Sequence, residues 1–224
     1  AECIGALPEE IYFTSGGTES DNWAIKSPAL ADMLRRPMIT SAFEHHAVLN
    51  SCAAIERLGY LVKYLSPTCG GQITPQTLED NITDDTRLVS IMFANNEIGS
   101  VQPIKELCEI AHARDALFHT DAVQAVGHVK IDVHELGIDM LSASAHKFNG
   151  PRGIGFLYLR KGVELPPYAD GGAQEHGHRA GTENVASIVG MATALKLNCD
   201  SMEENQRKVR VLEKSLANCN SKLQ

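Results

Sequence analysis

Apolar positions along this chain keep two alternating rhythms, short β-branched or aromatic runs and longer stretches with apolar residues three and four apart. Ile11-Tyr12-Phe13-Thr14 predicts a strand that stops at Ser15-Gly16-Gly17-Thr18, with a helix following through Lys26 towards Leu34. Met38-Ile39-Thr40-Ser41 predicts the next strand, and His46 to Leu58 a helix with Val48, Leu49, Cys52 and Ile55 on one face. Tyr60 to Leu65 alternates as a strand, and Pro75 opens a short helix through Asn81. Arg87 to Phe93 reads as an apolar strand. Ile104 to Ala113 reads as a helix buried through Ile104, Leu107, Cys108 and Ala111. Strands are expected again at Ala116–His119, Ile138–Ala143 and Ile154–Leu159. An apolar helix follows over Val185–Leu197, and a last one over Met202–Cys219 with Val209, Leu212 and Leu216 in a stripe.

This strand–helix alternation, free of internal repeats, predicts an α/β fold: a three-layer open, mainly parallel sheet with helices on both faces. Ligands of such sheets gather at the carboxyl ends of the strands. Gly17 and Thr18, His45, Asn96, Asp121 and the run Ser144-Ala145-His146-Lys147 each follow a predicted strand. Singly, each has an ordinary structural explanation; their shared address does not.

The residue types at that address suit pyridoxal 5′-phosphate. Lys147 follows the apolar run Ile138-Asp139-Met140-Leu141-Ser142-Ala143 rather than a polar helix face, a position suited to an amine that captures the cofactor aldehyde. A carboxylate such as Asp121 keeps a pyridine nitrogen protonated and makes the ring an electron sink. Ser144 and His146 flank the lysine with phosphate donors. Gly16-Gly17-Thr18 opens a helix whose free N–H groups attract an anion, although alone it reads as a common capped glycine turn. Asn96 and Gln124 carry amides able to reach a phenolic oxygen, and His45 an imidazole able to stack on a flat ring and exchange protons.

Composition narrows the alternatives. The chain has 224 residues, 43% hydrophobic and 21% charged, the balance of an ordinary globular protein, and a net charge of −8 without a basic stripe argues against nucleic acid. No apolar run approaches the roughly 18 residues of a membrane helix, and no signal segment opens the chain, so no membrane partner and a cytoplasmic location are expected. The six cysteines form no CxxC pair. Glu175-His176-Gly177-His178 is glycine-rich and loop-like, and no metal site is expected there. Gly150-Pro151-Arg152-Gly153-Ile154-Gly155 runs into a strand rather than a helix, which excludes a dinucleotide loop; Gly150 and Gly153 are expected to let the backbone turn behind Lys147.

Six motifs in order carry a resemblance: Thr14-Ser15-Gly16-Gly17-Thr18-Glu19-Ser20, Glu44-His45-His46-Ala47-Val48-Leu49, Ala94-Asn95-Asn96-Glu97-Ile98-Gly99, His119-Thr120-Asp121-Ala122-Val123-Gln124, Ser144-Ala145-His146-Lys147 and Arg179-Ala180-Gly181-Thr182-Glu183-Asn184. The chain resembles cysteine desulfurases of the NifS/IscS type, within the class V aminotransferase group of fold type I pyridoxal phosphate enzymes. The resemblance implies Lys147 and His45 as catalytic residues, with Lys147 forming the Schiff base. It implies Asp121 as pyridinium partner, Asn96 and Gln124 at the ring oxygen, and His45 stacked on the ring. Gly17, Thr18, Ser144 and His146 would hold the phosphate, joined by Thr182 from across a homodimer interface. The implied reaction takes L-cysteine to L-alanine and passes sulfur as a persulfide to an acceptor or scaffold protein for iron–sulfur clusters and thio-cofactors.

None of the cysteines Cys3, Cys52, Cys69, Cys108, Cys199 and Cys219 stands in the family's nucleophile motif, which is expected C-terminal to Gln224, as is the arginine for the substrate carboxylate. The chain therefore resembles the large domain alone, residues 1–200, followed by a connector helix over 201–224 towards a small domain, and it is expected to be inactive by itself. A selenocysteine lyase, another lyase of the same group, and a non-catalytic scaffold that keeps the fold are the alternatives.

Overall fold

The computed structural model describes residues 1–220, with the side chains of 217–220 excepted. The end of the expected connector, 221–224, and the Cys219 side chain lie outside the described residues.

Seven strands form one sheet: β1 (Ile11–Thr14), β2 (Met38–Ser41), β3 (Val62–Leu65), β4 (Leu88–Ser90), β5 (Leu117–Asp121), β6 (Met140–Ser144) and β7 (Gly155–Leu159). Their spatial order is β1-β7-β6-β5-β4-β2-β3. The run from β6 to β3 is parallel throughout. Only β7 runs against its neighbours, antiparallel to both β6 and β1. The link from β6 to β7 holds a 3₁₀ turn over Ala145–Phe148 and no crossover helix, so the chain has to come back antiparallel. Two reversals leave β1 pointing the same way as the parallel strands, and its carboxyl end joins theirs.

Helices α1 (Gly17–Ala31), α2 (His46–Glu56), α3 (Pro75–Glu79), α4 (Ile104–His112), α5 (Val133–Leu136) and α6 (Val185–Asp200) pack around this sheet. Strand residues alternate between two cores, as the two-residue period requires. Met38, Leu88, Met140, Leu157 and Leu159 face α1 and α2 through Trp23, Ile25, Val48, Cys52 and Ile55. Ile39, Val89, Phe118, Leu141 and Tyr158 face the opposite way, onto Leu78, Ile104, Leu107, Val133, Met191 and Leu195. The expected three-layer, mainly parallel architecture is the one observed. Trp23 anchors its side: fully buried, it stacks on Tyr168 at 5.7 Å and meets the edge of Tyr12 at 5.6 Å.

Several boundaries differ from expectation. The strand expected over Arg87–Phe93 is regular only at Leu88–Ser90, although Ile91 and Phe93 still donate to the carbonyls of His119 and Asp121 at 3.1 and 2.9 Å. Past Ser90 the β2 neighbour has turned away, and the Met92 N–H goes instead to the Glu44 carboxylate at 2.9 Å. Leu49 is only half-buried, and Ala47 and Ser51 take its place in the packed face of α2. Helix α5, a single turn capped by Asp132, carries no periodic signal and was not expected.

At the sheet margin, the Phe13 N–H that points away from β7 donates to Glu175 Oε2 at 3.0 Å. The last helix, α7 (Met202–Asn220), carries the expected stripe, yet Val209, Leu212 and Leu216 stay 62%, 68% and 65% exposed. Among the described residues no helix is long and apolar enough to cross a membrane.

Candidate active site

The carboxyl ends of β1, β2, β4, β5 and β6 surround a cavity of about 590 Å³. Nine of the ten residues expected at a cofactor line it: Gly17, Thr18, His45, Asn96, Asp121, Gln124, Ser144, His146 and Lys147. Thr182 does not; it is exposed on the loop before α6 and borders a separate, smaller depression.

Each residue is placed by a local device. Asp121 ends β5, and its Oδ1 accepts the Val123 N–H at 2.9 Å, which turns the carboxylate into the cavity mouth of the strand. Burial raises its pKa, opposed by that hydrogen bond and by its neighbours His45 and Lys147. Ser144 ends the wholly buried β6 and its Oγ lies 2.9 Å from His146 Nδ1. Burial, then Lys147 and Arg152, lower the His146 pKa, so the ring is neutral and can present a donor. Lys147 sits in the 3₁₀ turn that follows, itself exposed while Phe148 beside it is fully buried. The turn is pinned from below, since His128 Nε2 bonds the Lys147 carbonyl at 2.8 Å and Asn198 Nδ2 donates to the Phe148 carbonyl at 2.7 Å.

His45 caps α2, its Nδ1 accepting the Ala47 N–H at 3.1 Å. A neutral ring so engaged carries its proton on Nε2. Opposite, α1 opens at Gly17, and Glu19 Oε2 accepts the Ser15 N–H at 2.8 Å to set the loop. The first N–H groups of α1 have no intrahelical partner and concentrate positive potential at the cavity wall. Space at Gly17 is tight: a Cβ would lie 2.5 Å from Val123 Cγ2, so a larger residue requires that side chain to move. Gly155 at the start of β7 is held tighter still, with a Cβ 2.4 Å from the Ala143 carbonyl and 2.7 Å from Gly16 Cα.

An amine, an inward carboxylate, hydroxyl and imidazole donors and a helix N-terminus thus converge on one space, which is the donor set that pyridoxal phosphate demands. The orphaned buried Oδ1 of Asp21, against the same wall, marks a polar environment deeper than the residues predicted.

Sequence reasoning missed that deeper layer. Asp21 is 1% exposed and shares the buried face of α1 with Ala24 and Ile25. A carboxylate on an otherwise apolar helical face was the available signal. His119 is fully buried, with Nδ1 2.8 Å from Ser90 Oγ and Nε2 2.9 Å from Ser142 Oγ; burial takes its pKa to about 3. Glu44, buried between Ser41 and Met92, is pushed up to about 8, burial outweighing its two hydrogen bonds. Arg152 adds a cation to the rim. The loop Glu175-His176-Gly177-His178 gathers no metal-like cluster among the described residues. His176 and His178 pack edge-on against Tyr12, and Arg179 pairs with Glu19 at 2.7 Å.

Comparison with known proteins agrees with this geometry. The family profile for aminotransferase class-V matches residues 1–221. A protein of Methanosarcina thermophila named cysteine desulfurase IscS is 56% identical over 208 residues, covering 92% of this chain and 52% of its own. Its namesake in Dictyoglomus turgidum is 52% identical over 205 residues, 91% of this chain and 52% of that one. Among solved structures, a NifS-like protein superposes with a TM-score of 0.94 at 40% identity, covering 97% of this chain and 60% of the other. SspA in complex with cysteine superposes at 0.85 and 45% identity, over 88% and 57%. The chain spans about half the length of the curated relatives it matches.

Proposed function

The chain belongs to the class-V aminotransferase family, whose members depend on pyridoxal phosphate, and we propose that it forms the cofactor-holding part of a cysteine desulfurase. The substrate is L-cysteine, the products L-alanine and a sulfur atom passed as a persulfide to an acceptor protein. One observation carries the reading: the Lys147 amine, the Asp121 carboxylate and the open end of α1 share a single cavity.

Pyridoxal phosphate supplies there an electron sink for the bonds around the substrate Cα. Asp121 would hold a proton on the pyridine nitrogen as an ionised partner, a form that the Val123 N–H favours against the effect of burial. The N–H groups of Gly17 and Thr18, the Ser144 hydroxyl and the His146 ring hold the phosphate by dipole and hydrogen bonds. Asn96 and Gln124 orient the ring through amide donors. Lys147 would hold the cofactor through its Nζ, and the same amine, once released, would be placed to accept the Cα proton of the substrate. His45, with its proton on Nε2, would flank the ring and serve as the second proton carrier.

Thr182 completes the phosphate site from the partner subunit of a homodimer; its exposed place outside the cavity of its own chain supports that geometry. Residues 1–200 form the large domain and α7 the connector, a role in keeping with its uncovered apolar stripe. The five described cysteines are all free, as suits the reducing cytoplasm.

Sodium borohydride treatment of the chain after incubation with pyridoxal phosphate, followed by peptide mapping, tests the assignment. A phosphopyridoxyl label on the peptide holding Lys147 is expected. A label elsewhere, or none, overturns it.

A further inference from the structure

Beneath the cavity, the side chains of Asp21, His45 and Asp121 bring ligand-type atoms within 4.8 Å of one another. Two of them are buried carboxyls, and the charge they can carry together is decided by their neighbours. Asp21, on the second turn of α1, finds little of the usual compensation. Its Oδ1 is buried without a hydrogen-bond partner, and the nearest basic nitrogen, His119 Nε2, stands 3.7 Å away. That nitrogen is engaged with Ser142 Oγ at 2.9 Å, in a ring with no exposure at all.

The remaining groups around Asp21 are known. From β5 come Asp121 and the neutral His119; from the turn before α2 comes Glu44; β6 offers only the Ser142 hydroxyl. His45, at the head of α2, accepts the Ala47 N–H on Nδ1, which a doubly protonated ring could not do. The acid of α1 itself, Glu19, is taken by Arg179. Among the described residues, no lysine or arginine pairs with Asp21. Asp121 differs: it accepts the Val123 N–H, and His45 and Lys147 beside it both favour its ionised form.

We infer that Asp21 is a positioning residue whose carboxyl stays protonated beside an ionised Asp121, so that the cavity floor presents one negative charge and not two. The inference rests on the reading of Asp121 as the pyridinium partner and adds the group that keeps it singly charged. One charge matches one pyridinium. A second buried anion a few ångströms away would be left without a counter-charge. Burial first, then the like charge of Asp121, push the Asp21 pKa well above the carboxylate range, with the Ser142 hydroxyl opposing. Asp21 lines the cavity wall. Ser142, His119 and Ser90 continue the polar track inward from it.

Carboxyl-carbon NMR of the cofactor-free 224-residue chain, labelled with ¹³C-aspartate, tests this across a pH series. One buried carboxyl should remain protonated past neutral pH, and it should be the resonance missing from the Asp21→Asn variant. In that variant the Asp121 midpoint should move by less than about one pH unit, since a neutral group replaces a neutral group. Through-bond assignment of the Asp21 carboxyl in the unsubstituted chain gives the same answer if the variant does not fold. A resonance of Asp21 that titrates near the ordinary value of about 4 overturns the inference, as does a protonated Asp121 beside an ionised Asp21. Because no cofactor is present, this outcome is independent of the Lys147 label, which alone decides the cofactor reading.

Discussion

Glu44 offers a measurement in which stability should change with pH by a calculable amount. Its side chain is 5% exposed, and burial raises its pKa from the ordinary 4.5 to about 8. Oε1 takes the Ser41 hydroxyl and the Met92 N–H, while Oε2 is buried without a partner. Glu44→Gln keeps the shape and the acceptor and removes the titration. Between pH 4.5 and about 8 the unfolded chain has lost the Glu44 proton and the folded chain has kept it. The folded state binds more protons in that window, so stability declines as pH rises. Each unit corresponds to about 1.4 kcal/mol, so the glutamate protein should fall behind its glutamine variant by about 3 kcal/mol at pH 7. The gap should level off at about 5 kcal/mol above pH 8 and close below pH 4.5, where a neutral carboxyl and a neutral amide each leave one buried polar group without a partner. Urea unfolding of the two chains at matched pH values gives the difference directly. A gap that stays constant from pH 5 to pH 8, or one that grows towards acid, would refute the reasoning.

Asp121→Asn should leave the fold intact and weaken pyridoxal phosphate binding on the order of 10- to 100-fold, the loss of one charge-assisted hydrogen bond; titration of the cofactor absorbance band reads it. Gly155→Ala forces a methyl onto the Ala143 carbonyl and the Gly16 backbone, and should cost about 1–3 kcal/mol in thermal or urea unfolding while also loosening the phosphate loop. Trp23→Ala empties the centre of the α1–α2 side and should cost about 3–5 kcal/mol; near-native stability would mean that the aromatic stack with Tyr168 does not organise that core.

Much of the fold could be read from the sequence because each strand meets both cores. Met38 and Ile39, Leu88 and Val89, and Met140 and Leu141 face opposite ways, and that is why their segments read as unbroken apolar runs. Direction was harder. Nothing in Gly155-Phe156-Leu157-Tyr158-Leu159 announces an antiparallel strand; the short link from β6 decides it. The cavity residues were visible because each follows a strand and carries a recognisable chemical group. Asp21 and His119 were not, since inside an element a polar residue shows no sign of which neighbour across the fold satisfies it. Burial of His119 between Ser90 and Ser142 joins three strands, and no local window contains all three.

The bond from Phe13 to Glu175 also bears on how the molecule avoids its own kind. Strands β1 and β3 are the two margins of an open sheet, where unpaired backbone is a template for another chain. At β3 the exposed Lys63 discourages a newcomer. At β1 the Glu175 carboxylate occupies the outward amide, so an incoming strand must first displace a side chain delivered from the far end of the sequence. Burial raises the pKa of Glu175, so this stopper loses its charge in milder acid than a free glutamate would. The β1 margin is therefore where fibre growth or clumping would begin as acidity rises.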